Sequence, residues 1–319
     1  MRDRPEGVTE AALVAALADG WGVRTRATEY VPLGAGSYHW SVTTDDDRAL
    51  FVTVDDLGGS PETGFARLGR AFDTALALRR DAGLAFVVAP VPTRTGSTLW
   101  RLDSRYSLAV FPLLDGRSGR FGAHRPEDRA EIVGLLAALH AATPVVAAGA
   151  PPVDLNLPGR AGLHDALEHL DEEWTGGPYS EPARQLLAGR AGHVARLLAD
   201  LDRLVDRVRA TVTDWVVTHG EPHPGNVVRT AAGPLLVDWD TVRLAPPERD
   251  LWLLAADADD VLAGYTRATG RPVDPSALAL YRLWWDLADI AGYVAELRGP
   301  HRGTEDTAAS WKYLSNHLA

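Results

Sequence analysis

The spacing of apolar positions changes character along this chain. Thr9 to Gly22, TEAALVAALADGWG, repeats apolar residues every three or four positions, which predicts an amphipathic helix with Thr9 as N-cap. EYVPLGAGSYHWSVTT then reads as two strands flanking a Gly-Ala-Gly-Ser turn, and RALFVTVDDL as a third β-rich run. ETGFARLGRAFDTALALRRDAG returns to helical spacing and stops at Gly83, and FVVAPVPT and YSLAVFPLL are strand candidates. Beyond DGRSGRFG the helical period dominates, in PEDRAEIVGLLAALHAAT, LHDALEHLDEEW, EPARQLLAGRAGHVARLLADLDRLVDRVRATV and SALALYRLWWDLADIAGYVAELR. The exceptions are the Pro-rich PVVAAGAPPVDLNLPG and the strand-like GPLLVDWDTV, which ends in carboxylates. This order predicts an α+β protein. Residues 1–114 form an antiparallel sheet with a crossing helix, and residues 115–319 a larger, mainly helical part.

Composition narrows the possibilities. A length of 319 residues suits two lobes at about 100–200 residues each. No apolar run approaches the ~20 residues that span a bilayer, and MRDRPEGVTE is polar, so the expectation is a cytoplasmic protein without a membrane partner. The absence of cysteine excludes disulfides, thiolate metal sites and thiol nucleophiles. A formal charge of −11 disfavours nucleic acid and suits a cationic small molecule, while also serving solubility. Lys312 is the sole lysine, so basic chemistry falls to arginine.

The densest chemistry lies in THGEPHPGNVV, Thr218 to Val228. His219, Glu221 and His223 do not make a zincin helix, because their order differs from H-E-x-x-H and Pro222 and Pro224 prevent a regular helix. The H-x-E of zinc deaminases fails for want of cysteines. The spacing does match the kinase catalytic loop H-R-D-x-x-x-x-N: an acid two after the histidine, and an asparagine five after the acid. Asp238 follows Asn226 by twelve residues. A strand-end carboxylate and an amide oxygen can hold Mg²⁺, and the loop acid can take a proton from an attacking hydroxyl.

HGEPHPGN, followed by LVDWDTV and PPERDLW, resembles the aminoglycoside phosphotransferase family, whose usual loop reads H-G-D-x-H-x-x-N. LGAGSYHW is similar to the nucleotide-covering loop of its spectinomycin-phosphotransferase-like branch. The resemblance implies a bilobal protein-kinase-like fold, with ATP or GTP as co-substrate and Mg²⁺ as cofactor. By position, Glu221 becomes the base, His219 braces its loop, and Asn226 and Asp238 become the Mg²⁺ ligands. Gly34 to Ser37, with Gly36 between, would cover the phosphates through backbone N–H groups. Phe111 falls at the gatekeeper position, and Pro112 to Leu114 at the hinge that meets the base. Asp250 is expected to be structural, bonding back to the catalytic loop.

Two departures stand against the pattern. Glu221 replaces the usual aspartate, and a displacement of ~1 Å can cost about 10²-fold in rate unless the loop adapts. Thr53 stands where kinases carry a lysine on the third strand, and the following helix offers no glutamate to pair with one; Asp73 is the only acid in GFARLGRAFDTALALRR. Arg67 or Arg70 could substitute for the lysine. Asp55 and Asp56 could hold a further cation, although a solvated strand end is the simpler reading.

On the acceptor side, Asp286, Asp289, Tyr293 and Glu296 share one helical face beside Trp285, and Asp240 follows Asp238 on the same side of an extended segment. This supports a cationic aminoglycoside- or aminocyclitol-like acceptor, and with it a role in antibiotic resistance. The bland alternative for the helix is a solvated acidic face over a tryptophan core. The leading expectation is an active phosphotransferase. A pseudokinase that binds nucleotide or ligand without transfer is second, and a nucleotidyltransferase on the same fold third.

Overall fold

Three antiparallel strands begin the sheet: β1 (Thr25–Val31), β2 (Ser37–Thr44) and β3 (Ala49–Asp56). The computed structural model describes residues 1–34, 36–254 and 259–319. β4 (Trp100–Arg101) and β5 (Tyr106–Pro112) complete a five-stranded sheet in the order β1-β2-β3-β5-β4. Alternation along β3 gives the sheet two faces. Val52 and Val54 point with Trp40, Leu108 and Val110 toward Leu13 and Leu17 of α1 (Glu10–Trp21). The Thr9 side chain caps α1, accepting from the Ala12 N–H at 3.1 Å. On the opposite face, Phe51, Ala109 and Phe111 meet Leu68 and Phe72 of α2 (Pro61–Arg80).

This sheet belongs to a unit made of Met1–Val153 and Asp214–Val273. The same unit contains β6 (Arg117–Ser118), α3 (Pro126–Ala141) and α4 (Thr143–Val146). After residue 214 it adds β7 (Val216–Thr218), β8 (Val227–Thr230), β9 (Gly233–Leu236), β10 (Arg243–Ala245), α7 (Glu248–Leu251) and α8 (Asp259–Thr269). β6, β8 and β9 form a second small sheet, and β7 pairs with β10. The other unit, Asp154–Thr213 with Asp274–Ala319, is helical. In it, α5 (Arg160–Glu168) and the 32-residue α6 (Ser180–Thr211) pack with α9 (Pro275–Arg298) and α10 (Glu305–His317).

Two expected elements fail. FVVAPVPT forms no strand; Val87 makes a single bridge to Leu236, and Val91 donates to the Val110 carbonyl. Pro90 and Pro92 lack the N–H groups a ladder requires. The helix expected through Trp174 ends at Glu168, because the following Asp171, Glu172 and Glu173 would crowd the negative end of its dipole. Pro224–Asn226 adds a single 3₁₀ turn inside the loop expected to be irregular.

Candidate active site

The loop after β7 is suspended from both sides. At its start, Asp250 is fully buried and accepts from the His219 N–H at 2.9 Å and the Gly220 N–H at 2.6 Å. His140 Nε2 donates to the same carboxylate at 3.0 Å. Burial pushes the Asp250 carboxyl up, but the His140 hydrogen bond, with the charge of Arg249 nearby, outweighs it and holds it below the usual range. Arg249 donates to Thr218 Oγ1 and the Thr241 carbonyl, each at 2.9 Å. Gly220 has φ +100°, and a Cβ there would run into the Arg249 guanidinium, so only glycine fits.

Further along, His219 Nε2 donates to the Val237 carbonyl at 2.8 Å, leaving Nδ1 to accept from the Glu221 N–H at 3.2 Å. Its ring meets Trp239 edge-on at 4.6 Å. Burial pushes the His219 pKa down, consistent with a neutral imidazole that shapes the loop. His124, which nothing in the sequence pattern marked, donates from Nε2 to the Pro222 carbonyl at 2.7 Å. The Asn226 amide Nδ2–H donates to the Glu221 carbonyl at 3.0 Å, and the Asn226 carbonyl accepts from the Val237 N–H at 3.0 Å. With its nitrogen engaged, Asn226 keeps Oδ1 as the atom it can offer a cation.

Asp238 follows β9 with φ +68°, a left-handed backbone that costs a non-glycine residue energy. It lines a cavity of about 340 Å³ with Glu221 and Asp240, and with Gly36, Ser37, Asp55, Asp56, Leu57, Arg67 and Leu68. Asp238 is open to this cavity yet ringed by protein. Loss of water around it, then the like charges of Asp240, Glu221 and Asp55, push its carboxyl well up. Asp240 is also raised by burial, against the opposing charges of Arg67, Arg249 and Arg243.

The roof of the cavity comes from the sheet. Gly34 and Gly36 have φ +66° and +88°; Ala35 between them lies outside the described residues. Ser37 Oγ–H donates to Asp55 Oδ1 at 2.5 Å. Asp55 is pushed up to about 7, chiefly by burial, with Ser37 and Arg67 opposing and Asp240 reinforcing. Asp56, also on the cavity wall, accepts from Arg105 at 2.7 Å and from the Gly58 N–H at 3.0 Å. Thr53 is buried, and its hydroxyl meets His39 Nδ1 at 3.3 Å. Phe111 is buried in the core beneath, while Pro112 and Leu113 leave the strand exposed and Leu114 packs against the Phe111 cluster.

Among the described residues no three imidazole or acid groups converge into a self-contained metal cage. The donors beside the cavity are hard oxygens, the Asp238 carboxylate and Asn226 Oδ1. They fit Mg²⁺, an ion that takes few protein ligands and completes its shell from phosphate and water.

The residues expected on the acceptor side, apart from Asp240, lie on α9 in the helical unit. α10 engages four of them. His317 Nε2 lies 3.1 Å from Asp289 and its Nδ1 3.7 Å from Asp286. Tyr293 stacks on Tyr313 at 6.0 Å, and Glu296 hydrogen-bonds Ser310. Trp285 is partly buried beside them. A larger cavity of about 700 Å³ in this unit opens between the α5 and α6 regions, lined by Leu157, His164 and Val205 and by Arg160, which grips Asp202 at 2.5 and 2.8 Å. No spacing rule pointed to it.

A glycine-covered sheet over a loop acid, an asparagine and a strand-end aspartate defines the kinase-like phosphotransferase class. Residues 28–292 match the model of the phosphotransferase enzyme family, and the chain belongs to that family. It is therefore a phosphotransferase. Protein StrN of Streptomyces griseus is 30% identical over 301 residues, covering 91% of this chain and 86% of that one. Among solved structures, a spectinomycin phosphotransferase in complex with ADP and spectinomycin superposes with a TM-score of 0.75 at 16% identity, covering 98% and 95% of the two chains. The choline kinase LicA of Streptococcus pneumoniae gives 0.58 at 13% identity, covering 97% and 98%. At such identities these structures speak to the α+β, kinase-like fold. Among the described residues no helix is long and apolar enough to cross a membrane.

Proposed function

We propose that this chain is a Mg²⁺-dependent kinase of small molecules, moving the γ-phosphoryl group of ATP or GTP to a hydroxyl of a cationic acceptor. The observation that carries this reading is the single cavity shared by Gly36 and Ser37 above and Glu221 and Asp238 below. Glu221 takes the proton of the acceptor hydroxyl as its oxygen attacks phosphorus and the bond to the nucleoside diphosphate breaks. Asp238 and Asn226 Oδ1 hold the metal, which when bound neutralises phosphate charge. His219, His124 and Asp250 fix the loop so that the longer glutamate points into the cavity. Gly34, Gly36 and Ser37 cover the phosphates, and Phe111 with Pro112 to Leu114 borders the base.

The carboxylates around the cavity, with the formal charge of −11, favour an aminocyclitol- or amino-sugar-like acceptor. Asp240, which lines the cavity, is its nearest contact. Such an enzyme works in the cytoplasm, where nucleotide is available, and would confer resistance if its acceptor is an antibiotic.

Calorimetric titration with ATP and GTP, with and without Mg²⁺, tests the assignment. Mg²⁺-dependent binding that disappears in Asp238→Asn is the expected result. Glu221→Ala should retain that binding and lose at least about 10²-fold in turnover, the usual contribution of a positioned base. Full activity in Glu221→Ala refutes its role as the base, and wild-type protein that ignores both nucleotides refutes the kinase reading.

A further inference from the structure

A site for a polyphosphate needs positive charge, and this cavity is short of it. Five of its lining side chains are carboxylates: Asp55, Asp56, Glu221, Asp238 and Asp240. The strand that carries a lysine in other kinases supplies none, because Thr53 is a neutral hydroxyl held against His39. His39 stacks on Phe51 at 4.9 Å, and burial lowers its pKa to about 4, so it adds no charge. The cavity has one cationic lining residue, Arg67 of α2.

We propose that Arg67 is the phosphate-gripping cation of this enzyme and that Asp55 orients it, so the usual charge pair is reversed: acid on β3, cation on the helix. The proposal rests on the nucleotide reading above. Thr53 and Asp55 lie two apart on β3 and so face the same side, which puts the acid one step nearer the glycine turn than a lysine at 53 would stand. Ser37 occupies only Oδ1 of Asp55; Oδ2 is buried and accepts no hydrogen bond. That atom is a ready acceptor for one edge of a guanidinium. Arg67 is exposed and forms no ion pair among the described residues, so its fork of N–H donors is uncommitted. Arg67 lines the same cavity as Asp55, and its charge opposes the burial that raises the Asp55 carboxyl. An arginine held by Asp55 through one edge keeps the other for two phosphate oxygens, and it remains charged where a partly buried lysine could lose its proton. Arg70, one turn further along α2, does not line the cavity.

The test compares MgATP and adenosine binding by calorimetry in wild type, Arg67→Ala, Arg67→Lys and Arg80→Ala. Arg80 lies at the far end of the same helix, paired with Asp81, and controls for lost net charge. Arg67→Ala should weaken MgATP by at least about tenfold, the scale of one charge-assisted hydrogen bond, and leave adenosine unchanged. Arg67→Lys should fall between, and Arg80→Ala should match wild type. MgATP binding by Arg67→Ala at wild-type strength overturns the proposal and leaves the kinase reading standing. Equal loss for adenosine also overturns it, because Arg67 would then support the fold rather than the phosphates. Wild-type protein that binds neither ligand brings down both readings.

Discussion

Asp250 shows how one side chain can set a catalytic loop without touching the reaction. Its oxygens take two successive backbone N–H groups at the point where β7 turns into the loop, and a third bond from His140. His140 is itself tied to the Tyr265 hydroxyl at 2.7 Å. All of these groups are buried, so none has water to fall back on. Asp250→Asn keeps the shape but sets an amide N–H against one of three donors. We expect it to lower stability by about 2–4 kcal/mol, the range for breaking a buried charged network. Turnover should fall further than nucleotide affinity, because the loop carries Glu221. Denaturant unfolding and steady-state kinetics read the two effects. The sign with pH follows from the depressed carboxyl: its contribution is present above the unfolded value of about 4 and vanishes as the pH falls through the lower folded value. A variant indistinguishable from wild type in both measurements would contradict this picture.

At the scale of elements, periodicity revealed what repeats and missed what does not. α1, α2, α3, α6 and α9 and strands β2, β3 and β5 stand where their apolar spacing puts them, because each buries apolar side chains, whereas β1 starts four residues ahead of the EYV run and its residues are at most partly buried. β4 and β6 have two residues each, too few to show alternation, and they exist only because β5 and β8 offer edges. The grouping of Asp214–Val273 with the sheet rather than with the long helices is a matter of long-range pairing that no local pattern encodes. The site divides the same way. Spacing alone flagged Glu221, Asn226 and Asp238, because a loop and a strand end fix their separation. His124 contributes from 98 residues away through one carbonyl, a contact without a sequence signature. The joint lining of one cavity by Arg67, Asp55 and Asp240 arises from packing α2 over β3 beside the Asp238 turn. Gly64 permits that packing: a Cβ there would lie 2.6 Å from the Leu57 carbonyl oxygen, so the first turn of α2 closes onto the end of β3 only with glycine.

For the whole molecule, the site is a concentration of the chain's negative charge, and folding must bear the repulsion until ligand arrives. Burial and acidic neighbours raise the carboxyl pKa values of Asp55 and Asp238, and burial raises that of Asp240 against the nearby arginines. Asp55 gives the cleanest reading, since it is not itself a metal ligand. Its folded value of about 7 exceeds the unfolded value of about 4. Between the two, the folded protein holds a proton that the unfolded chain does not, so Asp55 costs most above its folded pKa and the cost is relieved as pH falls. Asp55→Asn keeps an oxygen to accept from Ser37 and removes the charge. It should stabilise the free protein by about 1–4 kcal/mol near pH 8, and the advantage should shrink steadily toward about pH 5. Thermal melting across that range checks it: a gain that stays flat with pH would mean the carboxylate is already compensated. The same variant should bind MgATP more weakly, because the acid that destabilises the free protein is the one that holds Arg67 toward the phosphates. Stability gained and affinity lost in one substitution would mark Asp55 as kept for function at a cost to the fold.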